Sequence, residues 1–213
     1  MSIIWRISFI LSIFFVSNAT EQRRASALLV PRNPEFIESS VKGVIVFAET
    51  DSGVRITGSI TGMPPGKKYG FHVHEVGDIT TCNTAAAHFN PENTTHGDRG
   101  HEVRHVGDLG NVVFNLSNGV STATIAVTDT VLTLRGRNNI LGRTLVLHEQ
   151  EDDLGLGGHP DSLSTGNAGP RVACGVIGIV SPVTPWNSAV TSSPTMLLLL
   201  VPLIFVYDRT IPI

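Results

Sequence analysis

The chain has 213 residues, of which 41% are hydrophobic and 15% charged, enough for one domain with a sizeable core plus terminal appendages. Its formal charge is −3, with 15 Lys and Arg against 18 Asp and Glu and no dense basic cluster, which argues against nucleic acid as a partner. Residues 1–19 read as a secretory signal peptide. Arg6 precedes the apolar run Ile7–Val16, and Ser17-Asn18-Ala19 offers small residues for cleavage. That run is well short of the roughly 20 apolar residues that cross a bilayer. Residues 20–40 form a polar lead containing Arg23, Arg24, Pro31 and Pro34, read as a flexible N-terminal arm.

From Val41 the pattern changes to short β-rich runs punctuated by turns, which sets a domain over residues 41–182. Strands are predicted over 41–48, 54–62, 69–75, 112–116, 121–127, 131–134, 144–148 and 171–180. Asp51-Ser52-Gly53, Pro64-Pro65-Gly66 and Ser117-Asn118-Gly119 separate them as turn sequences. Eight such runs with no helical period predict an antiparallel β-sandwich or barrel. Two stretches, 76–108 and 149–170, break the rhythm, and loops of that length inside a domain are functional or disordered.

The histidines favour function. His72 and His74 alternate in Phe71-His72-Val73-His74-Glu75, so in a strand they share one face and make half of a transition-metal site. His148 ends another strand-like run and can supply a third nitrogen. His88, His96 and His105 lie in or beside the first long loop with Asp108, a donor set that suits tetrahedral zinc and would order a segment otherwise lacking hydrophobic anchors. His101 and His159 read as surface residues. In an exported chain Cys82 and Cys174 read as a disulfide. It would close a loop of about 90 residues and contribute at most about 4–5 kcal/mol in the chain-entropy model. Asn93-Thr94-Thr95 and Asn115-Leu116-Ser117 are glycosylation sequons.

Four segments together resemble the copper/zinc superoxide dismutases, in the family's order. Gly70-Phe71-His72-Val73-His74-Glu75-Val76-Gly77-Asp78 is similar to its first copper motif. His88-Phe89-Asn90-Pro91, His96 and Arg104-His105-Val106-Gly107-Asp108-Leu109-Gly110-Asn111 are similar to its zinc loop. Gly142-Arg143-Thr144-Leu145-Val146-Leu147-His148-Glu149 with Asp152-Asp153 is similar to its last copper motif, and Gly166-Asn167-Ala168-Gly169-Pro170-Arg171-Val172-Ala173-Cys174-Gly175-Val176-Ile177-Gly178 to its C-terminal signature.

The resemblance implies an eight-stranded antiparallel Greek-key barrel with two long functional loops, and dismutation of superoxide to oxygen and hydrogen peroxide. It implies copper on His72, His74, His88 and His148, and zinc on His88, His96, His105 and Asp108, with His88 shared. It implies that Arg171 positions the superoxide anion, that Asp152 links His72 to His96, and that Cys82 pairs with Cys174. A homodimer is also implied, with Gly77-Asp78, Ile140-Leu141-Gly142 and Ile179 in the region concerned, and a copper-loading chaperone is a conceivable partner. A copper-chaperone module that binds metal without turnover would lack a copper ligand or the arginine, and none is missing. The chain departs from the family at Ala86-Ala87, where a Gly-Pro-like approach is replaced, and at residues 159–164, which carry no lysine for anion guidance.

Residues 183–213 lie beyond the resemblance. The apolar run Met196–Val206, preceded by small residues at Asn187-Ser188-Ala189, reads as a GPI-attachment signal that would tie the exported protein to the cell surface, with Asn187 as attachment point. The spacer is short and Tyr207-Asp208-Arg209 follows the run, so a short membrane anchor and a soluble tail stay as alternatives.

Overall fold

Alternation of apolar and polar residues makes most of the strands. In β2 (Lys42–Thr50) Ile45 and Phe47 point inward, and in β3 (Gly53–Thr61) Val54, Ile56 and Ile60 do so. The computed structural model describes residues 22–37 and 39–182. Seven further strands complete the sheet: β1 (Arg24–Leu29), β4 (Lys67–His74), β5 (Asp108–Ser117), β6 (Val120–Asp129), β7 (Thr144–His148), β8 (Arg171–Val176) and β9 (Gly178–Ser181). All pairings are antiparallel, in the order β8-β7-β4-β5-β6-β3-β2-β1-β9. Only Ile177 separates β8 from β9, so the chain itself closes the sheet into a barrel, as the fold reading expects. The β3–β4 and β6–β7 connections each pass over two strands, which gives the Greek-key topology.

Turn chemistry sets the hairpins. Ser117 pairs with Val120 across Asn118-Gly119, whose φ values of 50° and 78° are those of the two-residue turn that matches strand twist. The core inside the barrel is built on Phe47, Phe71, Phe114, Ile45, Leu145 and Leu147.

Three features differ from the sequence reading. Within the arm assigned to 20–40, β1 pairs with β2 along its whole length and places Ala25, Ala27 and Leu29 in the core. Two of those inward residues are alanines, which carry a weak strand signal. Residues 131–134 are not a strand but a turn-rich link that buries Leu132 and Leu134. The run predicted over 171–180 bends at Ile177, so β8 stays on β7 while β9 crosses to β1. One strand gained, one lost and one divided turn the expected eight into nine.

Among the described residues no helix is long and apolar enough to cross a membrane. The signal-peptide reading of 1–19 and the attachment-signal reading of 183–213, Asn187 included, lie outside the described residues.

Candidate metal centre

The site sits on the outer face of β4. Tyr69, Phe71 and Val73 face the core, so Gly70, His72 and His74 face outward by the two-residue strand period, yet both histidines are buried. The covering comes from the two long loops. In the first, Phe89 N–H donates to Val73 O at 2.8 Å, Val73 N–H to Gly107 O at 2.8 Å, and Gly107 N–H to Phe89 O at 2.9 Å, which zips the loop onto β4. A Cβ on Gly107 would lie 2.1 Å from Val73 O, so only glycine permits this approach. The loop is anchored by more than metal. Phe89, Val106 and Leu109 are in the core, and buried Arg104 pairs with Asp129 at 2.7 Å, which corrects the reading of a segment with no hydrophobic means of ordering itself. At the end of β7, His148 meets the face from the far side, where a bulge separates it from Leu147.

Hydrogen bonds decide which nitrogen of each ring faces inward. His74 Nδ1 bonds Ala86 O at 2.9 Å and His148 Nδ1 bonds Gly169 O at 3.0 Å, so both Nε2 atoms point to the interior. His72 Nε2 and His96 Nε2 reach the two oxygens of Asp152, each at 2.8 Å, which leaves both Nδ1 atoms inward. Gly166 makes room for this bridge, because a Cβ there would lie 1.9 Å from Asp152 Oδ1. His88 Nδ1 is 2.9 Å from Asp108 Oδ1, and His88 Nε2 points the opposite way.

Two four-donor sets result. One is His72, His74, His88 and His148; the other is His88, His96, His105 and Asp108; within each, the donor atoms all lie within 4.8 Å of one another. The donor chemistry fits cations. His74 Nε2 and His148 Nε2 are 3.3 Å apart although each ring already donates from Nδ1, so two acceptors face one another. His88 Nδ1 and His105 Nδ1 are 3.4 Å apart. Metal–nitrogen bonds of about 2.0–2.1 Å in a tetrahedron hold neighbouring donors about 3.3 Å apart. His72 Nδ1, His88 Nε2 and His96 Nδ1 are buried without a hydrogen-bond partner. For His96 Nδ1 this holds although Asp108 Oδ1 is 2.9 Å away, a contact suited to two ligands of one ion.

Electrostatics separates the sets. Burial, with mutual repulsion of neighbouring imidazoles, pushes His72 and His74 well below the ordinary histidine range and His148 down to about 3. These rings are therefore neutral, as ligation requires. In the second set burial alone would raise Asp108, but hydrogen bonds from His105, His88 and His96 hold it well below the usual carboxylate range. Burial alone would lower His96, yet Asp108 and Asp152 outweigh it and hold this ring up at about 9 without a metal, which is the electrostatic signature of a site made for positive charge.

Beside the first set stands Arg171. Its Nη1 donates to Cys82 O at 3.0 Å and to Asn83 O at 3.1 Å, and its Nη2 donates to Ala86 O. Cys82 and Cys174 form the disulfide, with their Cα atoms 5.6 Å apart, and so tie the loop that supplies those carbonyls to β8. Every residue read from the sequence as part of the site comes together here, while His101 and His159 are exposed, as read. Asn111, to which its sequence context assigns no role, grips Asp152 through its amide with two 2.8 Å bonds, to the backbone N–H and C=O. The pairing of Arg104 in the first long loop with Asp129 at the end of β6 is likewise not legible in sequence, because nothing local links residues 25 apart.

A Greek-key barrel whose outer wall carries two donor sets sharing one imidazole is a scaffold for a dinuclear metalloenzyme. Residues 41–177 match the family model for copper/zinc superoxide dismutase. The chain is 46% identical over 173 residues to the Cu-Zn superoxide dismutase of Paramecium bursaria Chlorella virus 1, covering 79% of this chain and 91% of the relative. It is 52% identical over 144 residues to the extracellular Cu-Zn superoxide dismutase of Drosophila melanogaster, covering 66% of this chain and 77% of the relative. The crystal structure of the clock protein EA4 superposes with a TM-score of 0.68 at 45% identity, covering 80% of this chain and all of that one. The chain belongs to the copper/zinc superoxide dismutase family, enzymes that convert superoxide to oxygen and hydrogen peroxide with copper and zinc.

Proposed function

We propose that His72, His74, His88 and His148 hold the copper of this dismutase, that His88, His96, His105 and Asp108 hold its zinc, and that the enzyme works outside the cell. The observation that carries the assignment is His88, which belongs to both donor sets, with Nδ1 beside Asp108 and His105 and Nε2 buried without a hydrogen-bond partner. A bound copper would supply the one-electron redox chemistry by which two superoxide ions and two protons become one dioxygen and one hydrogen peroxide. Arg171 offers a fixed cationic fork to the small anion, held in place by three backbone carbonyls. His88 Nε2 is the ring atom available to carry a proton to the product. Asp152 orients His72 and His96 at once and fixes their tautomers.

Export is supported by the leader-like residues 1–19, by the disulfide, and by likeness to a relative named extracellular. The sequon residues Asn93 and Asn115 are both exposed and are the proposed glycosylation sites. Attachment through a GPI anchor at Asn187 is the proposal for residues 183–213. A homodimer is supported by apolar residues left in solvent on neighbouring strands: Leu28 and Val44 are directly opposite one another and are 60% and 52% exposed, and Ile179 on β9, opposite Ala25, is 53% exposed. Ile140, included in the sequence reading of that region, is instead in the core.

Metal analysis of the purified protein beside a superoxide consumption assay tests the function. One copper and one zinc per chain with fast turnover is the expected result, and zinc alone with no turnover would overturn it. Light scattering on a size-exclusion column tests the dimer, and phospholipase release from cells tests the anchor.

A further inference from the structure

Asn33 lies outside the family-matched residues 41–177, yet its side chain is fully buried. The chain after β1 brings it there. Val30 and Cys174 exchange backbone hydrogen bonds of 3.2 and 3.0 Å, so this segment runs beside β8. Pro34 then bars Asn33 from helical backbone, and Asn33 is extended at φ −78°, ψ 139°. The turn Pro34–Phe36 closes behind it, with Phe36 N–H donating to Asn33 O at 2.9 Å.

All three side-chain contacts of Asn33 go to the residues that hold the anion-binding arginine. Oδ1 accepts the Cys82 N–H at 2.8 Å, and Nδ2 donates to Arg171 O at 2.9 Å and to Asn83 Oδ1 at 3.2 Å. Arg171 in turn donates from its guanidinium to the carbonyls of Cys82, Asn83 and Ala86. The backbone of Arg171, its guanidinium and residues 82–86 thus form one closed circuit, and Asn33 joins its two backbone ends. Without the amide, buried polar groups at both ends lose their partners, and the carbonyls that aim the guanidinium are free to shift.

We propose that Asn33 is a positioning residue for superoxide dismutation, acting through Arg171 from a segment outside the residues that the family model matches. The inference rests on the reading of Arg171 as the group that binds the anion. Its test uses the full chain loaded with both metals and azide as a monovalent probe anion, titrated against the visible absorption of the bound copper. Three variants are compared with the parent: Asn33→Asp, Asn33→Ala and Arg171→Ala. Asn33→Asp keeps the shape and the acceptor for Cys82 N–H but removes both donated bonds. Asn33→Ala removes all three contacts and carries the test if the buried carboxylate blocks folding.

Azide affinity and kcat/KM should each fall roughly tenfold in the Asn33 variants, the effect of one hydrogen bond, with the azide-free copper spectrum unchanged. A lowered Tm with unchanged azide affinity would mean a merely structural role and overturn the inference, provided Arg171→Ala weakens azide. Unchanged azide affinity in Arg171→Ala would overturn the reading of Arg171 and this inference with it.

Discussion

The carbonyl oxygen of Ala86 accepts a hydrogen bond from Arg171 Nη2 and another from Nδ1 of His74, so one atom joins Arg171 to a histidine of the first donor set. Ala86 adopts φ 61° and ψ −145° to present that oxygen, a backbone region that is close to glycine-only. The departure from the family's Gly-Pro-like approach therefore keeps a glycine's conformation without the glycine.

Ala86→Gly should relieve that strain. The gain of about 1–3 kcal/mol is partly offset by the backbone entropy of glycine, about 0.5–1 kcal/mol, which leaves a net stabilisation on the order of 1 kcal/mol. Calorimetry of the metal-loaded protein should show Tm higher by about 2–4 °C. A lower Tm would show that the methyl group is accommodated without strain.

Asp152→Asn preserves shape but replaces one carboxylate oxygen with an amide donor. Asp152 accepts from both His72 Nε2 and His96 Nε2, so one of the two rings must change tautomer and lose its inward donor. Metal affinity should drop by about 10- to 100-fold. Competition with a chelator, followed separately for copper and zinc, measures this; unaltered affinity for both ions would refute the bridge.

Replacing Cys82 and Cys174 together with serine removes a cross-link between residues 92 apart in sequence. The cost should be about 2–5 kcal/mol, seen as a lower denaturation midpoint in urea. Because the loop carrying the Arg171 acceptors is then tethered to β8 by hydrogen bonds alone, kcat/KM should fall as well. Full activity in a destabilised variant would separate the two effects.

Acid should destabilise the metal-free protein. Burial lowers His72, His74, His88 and His148, the last to about 3, whereas an unfolded histidine titrates near 6.5. Between those values the unfolded chain binds more protons, so stability is lost as pH falls from about 6.5 toward 3. His96 has the opposite shift, to about 9, and its contribution is complete below pH 6.5 and fades as pH rises toward 9. Four groups against one make the acid side steeper. Circular-dichroism melts of chelator-treated protein should give a Tm lower at pH 4.5 than at pH 6.5, and the reverse order would contradict the burial argument.

Residues 159–164 carry no lysine. Long-range guidance of superoxide is therefore weaker than in relatives with lysines there, and the rate should depend less on ionic strength. Stopped-flow or pulse-radiolysis rates over a salt series check this, and a steep fall between low and moderate salt would refute it.

Local chemistry in the sequence determined the strands with strong alternation, the Asn118-Gly119 hairpin, the shared face of His72 and His74, and the His and Asp residues that qualify as candidate donors. These depend on a residue and its near neighbours, through strand period, turn φ values and donor type. Other features were decided only by the tertiary structure. Strand β1 exists because small alanines find a partner in β2, and the predicted strand at 171–180 splits because closing the barrel bends it at Ile177. The inward nitrogen of each histidine depends on a carbonyl or carboxylate brought from elsewhere: Ala86 O for His74, Gly169 O for His148, Asp152 for His72 and His96. Asn33 reaches Arg171 across 138 positions, and only folding creates a contact at that separation.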